Sequence, residues 1–261
     1  MPLSATWDPG LYLQYADERG RPFVDLVSRI TSEATTVVDL GCGPGQLAPV
    51  LRARWPEARI IGLDSSPEMI AQARERNADP MTTYDVADAA TWQPSKPVDI
   101  LVSNAMLQWI PDHADLLTRW TGHIAPGGAL AFQVPGNFEA PSHRLLWETA
   151  ARPPYSAFTS GLHRRAGVLD PADYLALLGR PGWTVDAWET TYLHVLPGED
   201  PVFEWISGTG ARPVLQALPD AVRADFEADY KAALREAYPR QEVGTVLPFR
   251  RIFVVAHRTG L

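Results

Sequence analysis

Val37-Val38-Asp39-Leu40-Gly41-Cys42-Gly43-Pro44-Gly45 is the stretch that decides the fold class. Thr36–Leu40 reads as a short buried strand, apolar but for one acid, and it runs straight into three closely spaced glycines. A turn without Cβ atoms lets backbone approach a ligand that other residues would exclude, and that ligand would sit at the carboxyl end of the strand. A dinucleotide fingerprint would read G-x-G-x-x-G. Here position 46 is Gln and the third glycine comes one residue early, at Gly45, which disfavours NAD.

The same strand-to-helix pattern recurs outward from this turn. On the N-terminal side Phe23, Leu26, Val27 and Ile30 fall at helical spacing. On the C-terminal side Arg59–Asp64 reads as a second strand, followed by Ser66 at a helix N-cap and Pro67 at the first helical position. Further strands are expected at residues 82–84, 98–104, 129–134, 184–196 and 251–256. A helix over 114–124 is expected to close at Pro126-Gly127-Gly128, and a long surface helix to span 220–238. This alternation predicts an α/β fold: a doubly wound, mostly parallel seven-stranded sheet with helices on both faces. Segments 135–182 and 197–247, with the N-terminal 1–22, read as a helical cap on a single domain spanning 1–261.

Composition narrows the function. With 261 residues, 46% of them hydrophobic, the chain can bury one sizeable core. The single cysteine, Cys42, cannot form an internal disulfide or a zinc-type pair, which points to a reducing, cytoplasmic setting. The opening residues show no basic cluster followed by an apolar run, and no stretch is apolar enough to span a bilayer, so neither secretion nor membrane insertion is expected. A formal net charge of −8 argues against a broad nucleic-acid surface and favours a small molecule. An anionic substrate would then need arginines gathered locally.

Several acids and polar residues stand where strands end. Asp64 closes the second strand about twenty residues after the glycine loop, where a carboxylate can accept from both hydroxyls of a ribose; its ordinary role would be capping the next helix, and Ser65 and Ser66 could do that while the carboxylate faces a ligand. Asp88-Ala89 lies just beyond the third strand, with Asp85 as the competing acid. Asn104 ends the fourth strand and leads into Ala105-Met106-Leu107-Gln108-Trp109-Ile110-Pro111-Asp112-His113, at the mouth of the expected crevice. No G-x-S-x-G elbow, H-E-x-x-H helix or P-loop appears, so hydrolase, metalloprotease and nucleotide-hydrolysing chemistry lack a starting residue.

The glycine run resembles motif I of the class I methyltransferases, and the whole chain resembles the trans-aconitate 2-methyltransferase family. The likeness runs from Trp7-Asp-Pro-Gly-Leu-Tyr-Leu through Asp64-Ser-Ser-Pro-Glu-Met, Asn104-Ala-Met-Leu-Gln-Trp, Pro135-Gly-Asn-Phe and Thr190-Thr-Tyr-Leu-His194 to Pro248-Phe-Arg-Arg-Ile-Phe. It implies S-adenosylmethionine as methyl donor, S-adenosylhomocysteine as product and no metal. Donor contacts would fall to Asp39, Gly41, Gly43, Gly45, Asp64, Ser65, Asp88, Ala89 and Asn104, with Asp39 near the methionine portion and Asp88-Ala89 near the adenine. The implied acceptor is a carboxylate of trans-aconitate, a small anionic acid.

Carboxyl groups with pKa near about 4 are already ionised at neutral pH, so no general base is expected and alignment in a dry pocket would carry the rate. Arginine's fork best matches carboxylate. Arg19, Arg21, Arg164, Arg165, Arg212, Arg250 and Arg251 are the candidates, with Arg21, Arg212 and Arg250 foremost; Trp109 and His113 could complete the acceptor site. His194 could assist or be structural, and Tyr192 and Trp205 read as core before site. Two alternatives stay open: another small carboxylic acid or biosynthetic intermediate as acceptor, and a regulatory protein that binds the donor without turnover.

Overall fold

The computed structural model describes residues 16–163 and 167–260. Trp7 with the rest of its block, Arg164 and Arg165 lie outside the described residues. The chain forms two compact units: one from residues 16–135, 168–190 and 251–260, the other from 136–163, 167 and 191–250.

The strands are β1 Thr36–Leu40, β2 Arg59–Asp64, β3 Thr82–Val86, β4 Val98–Asn104, β5 Ile124–Pro135, β6 Trp183–Leu196, β7 Arg240–Gln241 and β8 Gly244–Arg258. Their order is β3-β2-β1-β4-β5-β8-β6, with β7 paired to β8. The seven expected strands form this path. The eighth, β7, has only two residues, too few for periodicity to register. Pairings from β3 through β5 are parallel and β8 runs antiparallel to β5. Chain order reverses between β1 and β4, which opens a crevice at the carboxyl ends of those two strands. Val37, Val38, Leu40, Ile100, Leu101, Val102, Leu130 and Phe132 are all buried, as parallel strands covered on both faces require.

Helices α1 Ala16–Ser28, α2 Ala48–Arg54, α3 Pro67–Arg76, α4 His113–Thr121 and, after two helices of the other unit, α7 Pro171–Leu178 belong to the sheet-bearing unit. Helix α1 buries Phe23, Leu26 and Val27. Helix α3 begins as its sequence dictates: Ser66 Oγ accepts from Met69 N at 3.2 Å, with proline at the first turn. The expected helix over 114–124 is shorter, because Ile124 already pairs with Val98 of β4. The next pairing is Ala129 with Ile100, so Ala125-Pro126-Gly127-Gly128 bulges out of β5 instead of capping the helix. Gly128 fits there because a Cβ would meet Asp99 O at 2.3 Å.

The other unit holds α5 Pro141–Ala150, α6 Ser156–Thr159, α8 Pro201–Ser207, α9 Arg212–Ala217 and α10 Asp220–Ala237. The expected surface helix, α10, is the centre of this unit's core. Phe226, Tyr230 and Leu234 recur every fourth residue and are buried against Leu146, Tyr155, Trp205, Ile206 and Phe249. Tyr230 Oη donates to Ser142 O at 2.7 Å, which satisfies a hydroxyl that burial would otherwise strand. Among the described residues no helix is long and apolar enough to cross a membrane.

Candidate active site

The loop leaving β1 is tied to β2 by Gly41 N and Cys42 N, which both donate to Leu63 O at 2.7 and 3.1 Å. Gly41, Gly43 and Gly45 all have positive φ, and the first and last also owe their missing Cβ to a neighbour. At Gly41 a Cβ would come within 2.5 Å of Met106, and at Gly45 within 2.7 Å of the Tyr84 hydroxyl. Gly43 differs. A Cβ there would meet only the end of Gln46, at 3.9 Å, so this glycine opens onto space a ligand could use. Gly62 was not singled out from the sequence, yet a Cβ there would come within 2.5 Å of the Tyr84 ring, which lies across this glycine and reaches the loop at Gly45. Cys42, packed with Tyr84, Ile70 and Ala73, has its thiol pushed far up by burial and by the charges of Asp39 and Asp64, which disfavours the thiolate.

Two carboxylates border this loop. Asp64 Oδ2 accepts from Gly43 N and Oδ1 from Ser66 N, both at 2.9 Å. The half-buried carboxylate therefore joins the glycine loop to the start of α3, and each oxygen keeps a second lone pair for a ligand hydroxyl. Ser65, between them, is exposed. Asp39 is buried, and its pKa is pushed up to about 7, first by burial and then by the charge of Asp64. Asp39 Oδ1 and Gln46 Oε1 are buried acceptors that find no donor among the described residues. Orphaned acceptors beside a glycine that opens outward suit a ligand bringing positive charge and N–H or O–H groups, as S-adenosylmethionine does.

The loop after β3 starts at the same edge, since Ala87 N donates to Asp64 O at 2.9 Å. Asp85 pairs with Arg74 at 2.8 Å. Asp88 Oδ1 accepts from Ala90 N at 2.8 Å, so of the two competing acids Asp88 is the one whose charge no arginine among the described residues engages; Ala89 beside it is half-buried.

At the carboxyl end of β4, Asn104 is buried and Gln133 Nε2 donates to its Oδ1. Ala105 follows with φ +52°, a left-handed conformation uncommon for alanine, held by Ala105 N donating to Gln133 O. Trp109, half-buried in the 3-10 turn Leu107–Trp109, stands just beyond. His113 is buried: its Nε2 meets the Tyr174 hydroxyl at 2.7 Å, a backbone hydrogen bond to Ile110 holds it further, and burial lowers its pKa. Its ring is thus engaged within the protein.

Gln133 was missed in the sequence. Its signal is a lone amide in the apolar run of β5, 1% exposed and bonded to Asn104. Arg251, one of seven candidate arginines, is buried beside it, with Nη1 at 3.4 Å from Gln133 Oε1. Arg21 is exposed on α1, 4.0 Å from Asp25. In the other unit Arg212 starts α9 half-buried, and Arg250 is half-buried with its carbonyl accepting from Gly136 N. His194 is stacked on Trp205 at 4.8 Å between centroids and on Tyr192 at 6.2 Å, in the buried aromatic core. Among the described residues no group of three or more His, Cys, Asp or Glu gathers to hold a metal.

Comparison with known proteins agrees with this fold. The methyltransferase-domain family matches residues 37–128. Among solved structures, the plantazolicin methyltransferase in complex with S-adenosylhomocysteine aligns with TM-score 0.54 at 12% identity, covering 97% of this chain and 91% of that one. The YcgJ protein from Bacillus subtilis gives 0.56 at 13%, covering 92% and 99%. A switch-point crevice rimmed by a glycine turn and unsatisfied acceptors, on this sheet order, is the build of a class I S-adenosylmethionine-dependent methyltransferase. Whole-chain relatives are more particular. Trans-aconitate 2-methyltransferase of Streptomyces avermitilis is 51% identical, with 97% of each chain covered. That of Streptomyces coelicolor is 50% identical over 99% of this chain and 89% of the relative, and that of Methylobacterium nodulans 49% over 98% and 99%. The chain belongs to the trans-aconitate 2-methyltransferase family.

Proposed function

We propose that the protein transfers the methyl group of S-adenosylmethionine to a carboxylate oxygen of trans-aconitate, yielding a monomethyl ester and S-adenosylhomocysteine. The observation that carries this reading is identity near one half over 97% of the chain to enzymes named for that reaction, a span that takes in both compact units and so bears on acceptor as well as donor. The lone, buried cysteine supports a cytoplasmic setting.

A bound S-adenosylmethionine supplies an electrophilic methyl on a cationic sulfur; the new O–C bond forms as the C–S bond breaks and its electron pair stays on sulfur. The chain's part is to bind, orient and exclude water. Asp39 and Gln46 offer acceptors to the donor's methionine end, Gly41, Gly43 and Gly45 shape the wall, Asp64 with Ser65 takes the ribose side, and Asp88 with Ala89 the adenine side. Arg21, Arg212 and Arg250 are assigned to carboxylates, Trp109 to the dry wall of the acceptor site, and His113 to its support. No proton has to move, because the acceptor is ionised already. Rate then comes from alignment, on the order of 7–11 kcal/mol at best.

The test is direct: incubation with S-adenosylmethionine and trans-aconitate should give a product heavier by one methyl group that alkali hydrolyses back to the acid. Methylation only of a different acid would replace the acceptor, and donor binding without any product would leave a binding protein.

A further inference from the structure

Asn104, Gln133 and Arg251 occupy three adjacent strands of the sheet-bearing unit. Asn104 of β4 and Gln133 of β5 are direct cross-strand partners. On β8 the residue opposite Gln133 is Phe253, and Arg251, opposite Pro135, lies two positions along. With a side-chain period of two, Arg251 and Gln133 therefore share a face. All three are buried, at 8%, 1% and 6% exposure.

The order of donors and acceptors in this row is set by its cation. A guanidinium has five N–H donors and no acceptor. The Gln133 atom facing Arg251 Nη1, at 3.4 Å, is therefore the carbonyl oxygen Oε1; a reversed amide would set donor against donor. Gln133 Nε2 is left to point the other way, and it donates to Asn104 Oδ1. The oxygen of Asn104 is thereby turned toward Gln133, and the group directed away from it is the Asn104 amide N–H, which makes no hydrogen bond among the described residues. A charge on β8 thus decides which end of an amide two strands away is presented where β4 ends.

We propose that Asn104 donates an amide N–H to a ligand carboxylate, and that Arg251 and Gln133 are positioning residues that fix this polarity. The inference rests on the methyltransferase reading for the identity of the ligands, since two carboxylates belong to that reaction: those of the acid acceptor and the amino-acid carboxylate of the donor. An N–H donor attracts either and disfavours the donor's ammonium.

Two substitutions reverse the polarity in different ways. Asn104→Asp keeps the bond from Gln133 Nε2 but replaces the outward N–H by an oxygen. Gln133→Glu offers acceptors at both ends, so Asn104 must turn its nitrogen inward and its oxygen outward. Steady-state kinetics should show the KM for trans-aconitate, or that for S-adenosylmethionine, raised at least about tenfold in both variants, the other constant moving much less. Which KM rises identifies whose carboxylate is held, and calorimetry with S-adenosylhomocysteine or trans-aconitate reads the same change without turnover. A merely structural role would lower the melting temperature and the active fraction while leaving both KM values in place. Unchanged constants in a folded, active Asn104→Asp protein overturn the proposal, and that variant carries the test if Gln133→Glu does not fold. Wild-type protein that binds trans-aconitate without methylating it, while the variants bind it about tenfold more weakly, would sink the reaction and keep the inference.

Discussion

The carboxyl ends of β1 and β4 lie side by side in one sheet and are built with opposite chemistry. At β1 the polar atoms are acceptors in search of donors: Asp39 Oδ1 and Gln46 Oε1, with Asp64 alongside. At β4 the row begins at a buried guanidinium and ends on an N–H. One end suits a cation, the other an anion. The contrast teaches how an acidic chain can join a sulfonium to a carboxylate: net charge acts at long range, whereas a buried row of oriented hydrogen bonds sets polarity within a few ångströms.

The largest effect is expected at Asp64. Asp64→Ala should raise the Kd for S-adenosylhomocysteine roughly 100-fold or more, through lost charge-assisted hydrogen bonds. It should also lower the melting temperature, because Gly43 N and Ser66 N lose their acceptor. Calorimetry and a thermal melt read the two losses, and an unchanged Kd would remove Asp64 from the donor site.

Asp39 sharpens the comparison through pH. Its native carboxyl holds a proton up to about pH 7, against 3.8 ordinarily, so the ionised form destabilises the fold. That cost is absent below pH 3.8, grows as pH rises, and is complete above about 7. Asp39→Asn should therefore be more stable than wild type at pH 8, by an amount on the order of a few kcal/mol, and equal to it in strong acid. A cationic donor needs the ionised carboxylate, so wild-type affinity should fall as pH drops through 7. The affinity of the Asp39→Asn variant should be flat across that range and roughly 30-fold weaker than wild type at pH 8. A pH-independent wild-type Kd would break the assignment of this end to a cation.

The glycines separate packing from access. Gly45→Ala meets Tyr84 on top of an unfavourable φ and should cost about 2 kcal/mol of stability by denaturant melts. Gly43→Ala shares the φ penalty but has room, so it should lose less stability, and its effect should fall more on donor affinity; equal melting losses in both would erase the distinction. Smallest of all, Ser66→Ala should lose about 1 kcal/mol with donor affinity nearly kept, since its hydroxyl caps α3 at Met69 N.

Much of this was legible in the chain. β1, β2 and β4 are short, buried and bounded by turn residues, so composition and period fix their limits. The Ser66-Pro67 helix start and the glycine turn are equally local, because capping and Cβ exclusion involve neighbours in sequence. Where pattern misled, a longer-range force had won. Pro126-Gly127-Gly128 resembles a helix stop, but Ile124 gains more by rejoining the sheet. Helix α10 looks solvated from its charges, while a stripe at every fourth residue sinks Phe226, Tyr230 and Leu234 into a core.

The sequence by itself determined the class of fold, the acids at the strand ends and the family to which the chain belongs. Only the tertiary structure decided that Gly45 makes way for Tyr84, that His113 is held by Tyr174, and that one arginine among seven orients Asn104 through Gln133. The reason is physical: local propensity is written in adjacent residues, but the direction of a hydrogen-bond row depends on which side chains three strands, far apart in the chain, bring to one face.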